Sequence, residues 1–484
     1  MYFYNIEFNF IQLIKLTMIN LFKNWVYDRM DDNNRNQVLL VLFIGVLMGA
    51  IDIAIVGPAL PAIRSYFNVD NRNLVWIYTI YVLFFMIGTP FMAKLSDRRG
   101  RRVIYLLDVG LFGLGSFITA SSPSLNVLLI GRAIQGLGAG GIFPIASAFI
   151  GDTFPLEKRG SALGIIGAVF GVSYLIGPLL GGLLIGYGWQ WLFVVNIPVA
   201  VLVIILGLKF LPKANNKLVN HFDWKGMLLL GVSVTSLAYG INQINIQNFY
   251  FSLESTKVWP FLLIFILSLL LFWVIEKNAN DPIISTSFFT SRQISLTSII
   301  SVFTGLNEAG LVFIPAFAIT AYGFNNSTAS LMLLPVVLSI SIGAPIIGRI
   351  LDKTGSKVLM LIGGLMLGMG LLIFESFGYY FNYFILSGVL IGLGLSALLG
   401  APVRYIMLNE IDESDRASGQ GLININTSAG QLIGGTLIGT ILASLGAGVN
   451  AYQSAYFLLA ITAFILTFIA LGLKGRRAEL ETMK

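Results

Sequence analysis

Long apolar stretches recur fourteen times along this chain of 484 residues, and they constrain its fold more than any other feature. A helix of about 20 apolar residues is long enough to cross the hydrocarbon core of a bilayer. The chain is 56% hydrophobic and 11% charged, and a soluble domain of this length cannot bury that much apolar surface. The predicted fold class is therefore an all-α polytopic membrane protein. The fourteen predicted spans are 38–62, 73–94, 103–121, 124–150, 161–187, 190–211, 224–244, 257–275, 293–321, 327–349, 357–376, 380–408, 416–446 and 452–473.

Lysine and arginine are unevenly distributed between the two sides of these spans. Of 30 such residues, 25 fall in the N-terminal segment, the loops after even-numbered spans and the C-terminal segment. Only Arg64, Arg72 and Lys257 fall in the other loops, and the remaining two, Arg132 and Arg404, fall within spans. Basic residues concentrate on the cytoplasmic side of membrane proteins, so we expect a multi-pass plasma-membrane protein with both termini in the cytoplasm. This distribution also explains the net charge of +7 without a nucleic-acid partner.

The sequence lacks the residues that several kinds of chemistry require. The chain has no cysteine, and its single histidine, His221, falls in a loop. No phosphate-binding loop or dinucleotide fingerprint is present. We therefore expect no enzyme activity, no metal, no cofactor and an energy source other than nucleotide hydrolysis. The first 30 residues lack a signal-peptide pattern and predict either an interfacial helix or a true start at Met18 or Met30.

A short charged turn occurs twice, once between spans 2 and 3 and again between spans 10 and 11. The first copy, Ala93–Arg102, contains Asp97, Gly100 and Arg101, and the second, Gly348–Lys357, contains Asp352 and Gly355. Glycine permits the tight connection. We expect Asp97 to accept hydrogen bonds from a helix N-terminus across an interface that breaks when the inner side opens. The neighbouring arginines determine on which side of the membrane the turn lies.

The two copies are eight spans apart, which indicates two six-span halves with two spans inserted between them. Internal repeats around a midplane site are typical of secondary transporters. The predicted parts are a cytoplasmic segment 1–36, an N-terminal bundle 37–212, an inserted pair 213–280, a C-terminal bundle 281–474 and a tail 475–484.

The motifs together resemble the major facilitator superfamily, and within it the fourteen-span drug:proton antiporters. They stand in family order from span 1 to span 5: Asp52, Ala59-Leu-Pro61, Trp76, Tyr81, the Asp97–Arg102 turn, Arg132-Ala-Ile-Gln135-Gly136, Phe154–Gly160 and Gly177-Pro178. The resemblance implies a major facilitator fold, and its Gly177-Pro178 arrangement implies an exporter in which Gly177 and Pro178 act in gating. The chain departs from the family pattern at Ala93, where glycine is usual, and at Gly57-Pro58.

Three ionisable residues are predicted at one depth in the membrane. At about 1.5 Å per helical residue, Asp52 lies about 21 Å above the cytoplasmic face, and Arg132 and Glu308 each lie about 18 Å above it. Charges at this depth are costly and indicate function. We expect Asp52 to stay ionised beside Arg132 and Glu308 to hold a proton, with Gln135 in the same binding region. The alternatives are a purely structural Asp52–Arg132 pair and a Glu308 exposed at a span boundary.

The remaining ionisable residues in the spans are predicted to serve other purposes. Asp108 lies about 8 Å from the cytoplasmic face and is expected to pair with the basic turn. Glu375 and Arg404 fall near opposite interfaces, where their side chains can reach water.

Span 13 carries a polar stripe with helical spacing. The face is formed by Gln420, Asn424, Thr427 and Gln431, and it predicts either a cavity lining or interhelical hydrogen bonds, with the cavity favoured. In span 2, Tyr81 and Tyr78 can add aromatic surface for a cationic ligand, although Tyr78 also suits an interfacial belt.

The function predicted by these features is a proton-coupled exporter of amphipathic, cationic small molecules. Its partners are the small-molecule substrate and the lipid bilayer, and we expect a monomer. A lipid or metabolite carrier of the same fold is the first alternative, and a transport-inactive sensor is the second.

Overall fold

The computed structural model describes residues 33–154, 162, 165–166, 169, 172–173, 176–177, 179–212, 223–279, 282–284, 286–411 and 416–482. Within these residues, thirteen helical segments are long and apolar enough to cross a membrane. They coincide with thirteen of the fourteen predicted spans, which confirms the all-helical polytopic architecture. The fifth predicted span, 161–187, lies largely outside the described residues, so the total of fourteen stays a prediction. The predicted segment 1–36 also lies outside them except for its last four residues, as does His221.

The helices follow one another along the chain with short connections. The sixth span consists of α5 and α6, the ninth of α10 and α11, the tenth of α12 and α13, and the twelfth of α15 and α16. In chain order the helices are α1 (Asn33–Phe67), α2 (Asn71–Arg99), α3 (Arg101–Ala120), α4 (Leu125–Thr153), α5 (Trp191–Val194), α6 (Asn196–Phe210), α7 (Trp224–Asn242), α8 (Phe249–Leu253), α9 (Trp259–Asn278), α10 (Arg292–Glu308), α11 (Ile314–Tyr322), α12 (Asn326–Leu331), α13 (Leu334–Thr354), α14 (Ser356–Phe377), α15 (Phe381–Leu399), α16 (Ala401–Glu410), α17 (Arg416–Leu445), α18 (Val449–Ala470) and α19 (Arg476–Thr482).

Side chains that accept backbone hydrogen bonds start several of these helices. Asp70 accepts from the backbone N–H of Asn73 at 2.8 Å before α2, and Asn325 accepts from Thr328 at 2.8 Å before α12. Such caps satisfy N–H groups that the first turn of a helix leaves without an intrahelical partner. Polar residues at loop positions thus determine where the apolar helices begin.

The ninth span is broken directly after Glu308. A 3-10 turn, Ala309–Phe313, separates α10 from α11. Pro315 lacks the N–H that a continuous helix would need at this position, and Gly310 favours irregular backbone. The hydroxyl of Tyr456 donates to the freed carbonyl of Gly310 at 2.8 Å. Breaks of this kind are found in membrane helices where protein rather than lipid satisfies the backbone.

The helices pack in two groups with a pair at their seam. The N-terminal group is α1–α6, the C-terminal group is α10–α18, and α7 packs with α9 while also contacting α2 and α17. Glycines allow the closest approaches in the C-terminal group. A Cβ on Gly305 or Gly430 would collide with the backbone carbonyl of the facing helix, so α10 and α17 meet backbone to backbone.

Both described chain ends lie on one side of the molecule, which we call the termini side, and the opposite side is the far side. At the start of the chain, Arg35 donates to the carbonyl of Thr153 at 3.2 Å, where α4 ends. At the other end, Lys474 forms an ion pair with Glu410, the last residue of α16. On the far side, the first turns of α2 meet the last turns of α17, which runs antiparallel to it.

Candidate functional site: two buried acidic clusters

Asp52 is the centre of a closed polar network in the N-terminal group. It lies in the middle of α1 and is 0% exposed. One carboxylate oxygen accepts from Arg132 Nη1 at 2.7 Å. The other accepts from Gln135 Nε2 at 2.7 Å and from Asn196 Nδ2 at 3.0 Å. Three donors therefore surround a carboxylate that water does not reach in this conformation.

Arg132 holds the network together from α4. Its Nη1 also donates to Gln135 Oε1 at 2.6 Å, and its Nε donates to the carbonyl of Ile77 at 3.3 Å. The guanidinium carbon lies 4.1 Å above the centre of the Tyr81 ring, a cation–π contact. Arg132 Nη2 and the Tyr81 hydroxyl are buried without a hydrogen-bond partner among the described residues. The cluster thus contains two hydrogen-bond donors that are not used within it.

The structure brings Asp52, Arg132 and Gln135 into direct contact, as their predicted depths and motif positions suggest. Tyr81 is buried against Arg132 in this conformation because the guanidinium covers its ring, and its predicted role in lining a cavity stays a prediction. Sequence reasoning missed two members: Asn196, and Ser116, whose hydroxyl accepts from Gln135 Nε2 at 2.8 Å. The available signal for Asn196 was an amide in the interior of the apolar sixth span.

Glu308 forms a second acidic cluster in the C-terminal group. It is the last residue of α10, directly before the break in the ninth span. Its Oε2 accepts from Gln431 Nε2 of α17 at 2.8 Å, and its carboxylate interacts electrostatically with the Tyr78 hydroxyl of α2. Glu308 is 8% exposed, whereas Asp52 and Arg132 are 0% exposed. Of the three deep charges, Glu308 is therefore the least completely buried.

The three deep charges are divided between two clusters instead of forming one. Helix α2 borders both clusters, because Tyr81 stacks beneath Arg132 and Tyr78, one turn away, packs against Gly435 of α17, one turn from Gln431. Tyr78 is 3% exposed, so the interfacial-belt alternative for this residue is wrong.

The polar stripe of span 13 makes interhelical hydrogen bonds in this conformation. Besides Gln431 with Glu308, Asn424 Oδ1 accepts from Arg404 Nη2 at 3.4 Å. Thr427 is half-buried, and its backbone packs against Gly305. The side chain of Gln420 lies outside the described residues. Whether this face also lines a cavity during transport stays a prediction.

Of the predictions about the remaining ionisable residues, one stays open and one is wrong. Arg404 is partly exposed and donates to Asn424 Oδ1 at 3.4 Å, and whether it also reaches water stays a prediction. Asp108 does not pair with the basic turn. It is 0% exposed, and neither carboxylate oxygen has a hydrogen-bond partner among the described residues.

The two copies of the charged turn share one backbone geometry. Gly100 joins α2 to α3 with φ 93°, and Gly355 joins α13 to α14 with φ 78°. This region of φ favours glycine, and each glycine N–H closes the preceding helix. The side chains of Asp97 and Asp352 lie outside the described residues, so their gating role stays a prediction.

Charged partners stabilise the region around each turn. Arg101 Nε lies 2.6 Å from a carboxylate oxygen of Asp152 at the end of α4. Near the second copy, the Glu479 carboxylate accepts from the backbone N–H of Ser356 at 3.1 Å. Sequence reasoning missed both acids, because each is distant in sequence from the turn it supports.

The two helix groups meet on the far side at small residues. A Cβ on Gly57 would lie 2.9 Å from the Val312 carbonyl oxygen, and one on Gly182 would lie 3.0 Å from Ser330 Oγ. Gly177, predicted to act in gating, packs against Ala54 within the N-terminal group. Pro178 lies outside the described residues. The far side is therefore closed at these contacts.

Comparison with known families agrees with this architecture. A sequence profile described as Major Facilitator Superfamily matches residues 42–302 and 296–482, which together cover most of the chain. The chain belongs to the major facilitator superfamily. Members of this superfamily are membrane transporters, so the protein is a multi-pass membrane transporter for small molecules and not an enzyme.

Individual relatives and a solved structure support this assignment. Multidrug resistance protein 3 of Bacillus subtilis is 30% identical over 412 residues, covering 84% of this chain and 79% of that protein. Multidrug resistance protein Stp of Mycobacterium tuberculosis is 30% identical over 421 residues, covering 85% and 77%. The xylose transporter XylE from E. coli, in a partially occluded inward-open conformation, shares the fold with a TM-score of 0.62 at 16% identity, covering 90% of this chain and 98% of that one.

Proposed function

We propose that this major facilitator protein is a proton-coupled antiporter that exports amphipathic, cationic small molecules by alternating access. Two relatives at 30% identity over most of the chain have multidrug resistance in their names, which supports a drug-exporting role. The energy source is the proton gradient, and no cofactor takes part. Two buried carboxylates in the spans supply groups for which a proton and a cation compete.

The proposed setting is the plasma membrane, with fourteen spans, both termini in the cytoplasm and a monomeric protein. The fourteen-span antiporter subfamily is the proposed branch of the superfamily. The two rocking units are residues 37–212 and 281–474. In this orientation the far side is extracellular, and its closure at Gly182 and Ser330 corresponds to an inward-facing stage of the cycle.

The observation that carries the proposal is the position of Glu308. Its carboxylate lies where α10 breaks and accepts a hydrogen bond from the neutral amide of Gln431 on α17 at 2.8 Å. A buried carboxyl group at a helix break, hydrogen-bonded to an amide, suits exchange between a proton and a cationic substrate.

Substrate-induced proton release tests the mechanism. We expect Glu308→Gln and Asp52→Asn each to abolish proton release when a fluorescent amphipathic cation is added to proteoliposomes, because each substitution removes an exchangeable carboxyl group. Glu375→Gln is the matched control, since Glu375 is half-buried near the end of α14, away from both clusters, and it should release protons like the unmodified protein. Unchanged release in both test variants would disprove the mechanism, and competition by lipid headgroups would favour the lipid carrier.

A further inference from the structure

The side chain of Asp108 is a buried acid that neither cluster uses. It lies on α3 and is 0% exposed. The surrounding helices present Gly138 and Gly141 from α4 and Met92 from α2. None of these three residues is titratable, and the ionisable group that interacts with Asp108 is Tyr105 on the same helix. The carboxyl group therefore lies in an apolar pocket shaped by glycines.

A negative charge has no stabilising partner in this pocket. Neither oxygen of Asp108 accepts a hydrogen bond among the described residues, although Asp52 accepts three at a comparable burial. An ionised carboxylate without donors or a countercharge is strongly unfavourable in such surroundings, whereas the neutral acid avoids most of that cost.

A permanently neutral acid at this position would still be unfavourable, since its polar atoms lack partners that water would supply. An apolar residue of similar size would pack here without that penalty. The carboxyl group is therefore best explained by a second conformation in which it becomes hydrated and ionises. On α4, Gly141 leaves room for the carboxyl group, and Gly138 lets the backbones of α3 and α4 approach closely, so neither residue adds a side chain that would have to move when Asp108 becomes hydrated.

We propose that Asp108 is a second proton-binding site, occupied in the far-side-closed conformation and emptied in the alternative one. The proposal rests on the proposed proton-coupled function. The reaction is a proton exchange between the carboxyl group and water, so no other reactant is needed.

Infrared spectroscopy and proton counting together test this site. We expect the purified protein to show a protonated-carboxyl absorption that persists at alkaline pH, is lost in Asp108→Asn, and is retained in the control Glu375→Gln. In proteoliposomes, Asp108→Asn should exchange one proton fewer per substrate. If Asp108→Asn does not fold, the smaller Asp108→Ser serves for both measurements.

Two results would overturn the proposal. An absorption unchanged by the substitution would show that Asp108 holds no proton, and an unchanged proton count would show that its proton is static. Absence of substrate-induced proton release in the unmodified protein would instead disprove the proposed function. The infrared measurement does not depend on transport, so it would still show whether Asp108 holds a proton.

A separate observation concerns the pair of helices α7 and α9 at the seam between the groups. The end of α7 binds α2 of the N-terminal group, because Asn242 Nδ2 donates to the carbonyl of Arg72 at 3.2 Å and Trp76 Nε1 donates to Asn242 Oδ1 at 3.3 Å. The same segment binds α17 of the C-terminal group, because Thr440 Oγ1 donates to the carbonyl of Ile241 at 3.1 Å. These contacts lie on the far side.

We infer that this pair of helices is a clamp that favours the far-side-closed conformation. The segment 241–246 contacts both groups within one turn, and the N–H of Ile246 also donates to Ser444 Oγ at 3.2 Å. When α2 and α17 separate on the far side, one set of these contacts must break. The clamp therefore biases the equilibrium between conformations without touching substrate.

Thiol labelling tests the clamp, because the chain has no cysteine of its own. With Ser330→Cys as the reporter, we expect Thr440→Val combined with Ser444→Ala to raise the rate of far-side labelling several-fold. Ser233→Ala is the control, since Ser233 donates within the pair, to Ser268 Oγ at 2.8 Å, and has no other side-chain partner among the described residues. Equal labelling rates in the clamp variant and the control would overturn the inference.

Discussion

Replacing Arg132 with alanine is expected to abolish transport and to lower the free energy of unfolding by about 3–5 kcal/mol, the cost of leaving a buried charge without its partner. The Asp52 carboxylate would keep its bonds to Gln135 and Asn196 but lose the cation 2.7 Å away. Gln135 Oε1 would lose the hydrogen bond that it accepts from Arg132, and the Tyr81 ring would lose the guanidinium above it. Thermal unfolding of the purified protein and efflux from expressing cells provide the two measurements.

A double-mutant cycle separates this charge effect from loss of packing. Asp52→Asn combined with Arg132→Ala removes both charges, so it should be more stable than Arg132→Ala alone by about 1–3 kcal/mol. Arg132→Lys keeps the charge but cannot reproduce the planar contacts with Gln135 and Tyr81, so partial stability without full transport is expected. If Arg132→Ala unfolds at the same temperature as the unmodified protein, the pair does not hold α1 and α4 together.

The positions of the helices were predictable because their signals are local. An apolar stretch, a capping residue such as Asp70 and a glycine such as Gly100 each act within a few residues of chain. The depth of Asp52 and Arg132 follows from the rise of a helix, and the two side chains are indeed in contact.

The division of the deep charges into two clusters was not predictable in the same way. Depth along a helix axis says nothing about the direction in which a side chain points across the bundle. Glu308 shares the level of Asp52 but bonds to Gln431 on its own side of the seam. The break after Glu308 had a signal in Gly310 and Pro315, but the apolar residues between them also fit a continuous helix.

Asp108 and Arg404 show a further limit. Their short distance from the membrane surface predicted that Asp108 would pair with charged neighbours and that Arg404 would reach water. Their contacts are determined by the residues of α4 and α17 that pack beside them. Glycines on α4 leave Asp108 without a donor, and Asn424 on α17 accepts from Arg404. Such partners depend on how the helices are rotated, which a single sequence does not specify.

Cross-linking the far side is expected to stop transport completely and reversibly. A cysteine sulfur in place of Ser330 Oγ would lie 3.0 Å from the Cβ of a cysteine at Gly182. In a disulfide, the Cβ of one cysteine lies about 3.0 Å from the sulfur of the other, so Gly182→Cys combined with Ser330→Cys should oxidise without large movement. The Cβ at position 182 would also lie 3.2 Å from the Ser327 carbonyl oxygen, which requires a shift of only a few tenths of an ångström. Efflux should fall to background after oxidation and recover after reduction.

The absence of native cysteine makes this result decisive, because the engineered pair is the only possible disulfide within the chain. Each single variant is the matched control and should transport equally before and after oxidation. Alternating access requires residues 182 and 330 to separate in every cycle, since they belong to the two helix groups that close the far side. Full transport by the oxidised double variant would mean that substrate leaves without far-side separation, and a rocking mechanism would then not apply to this protein.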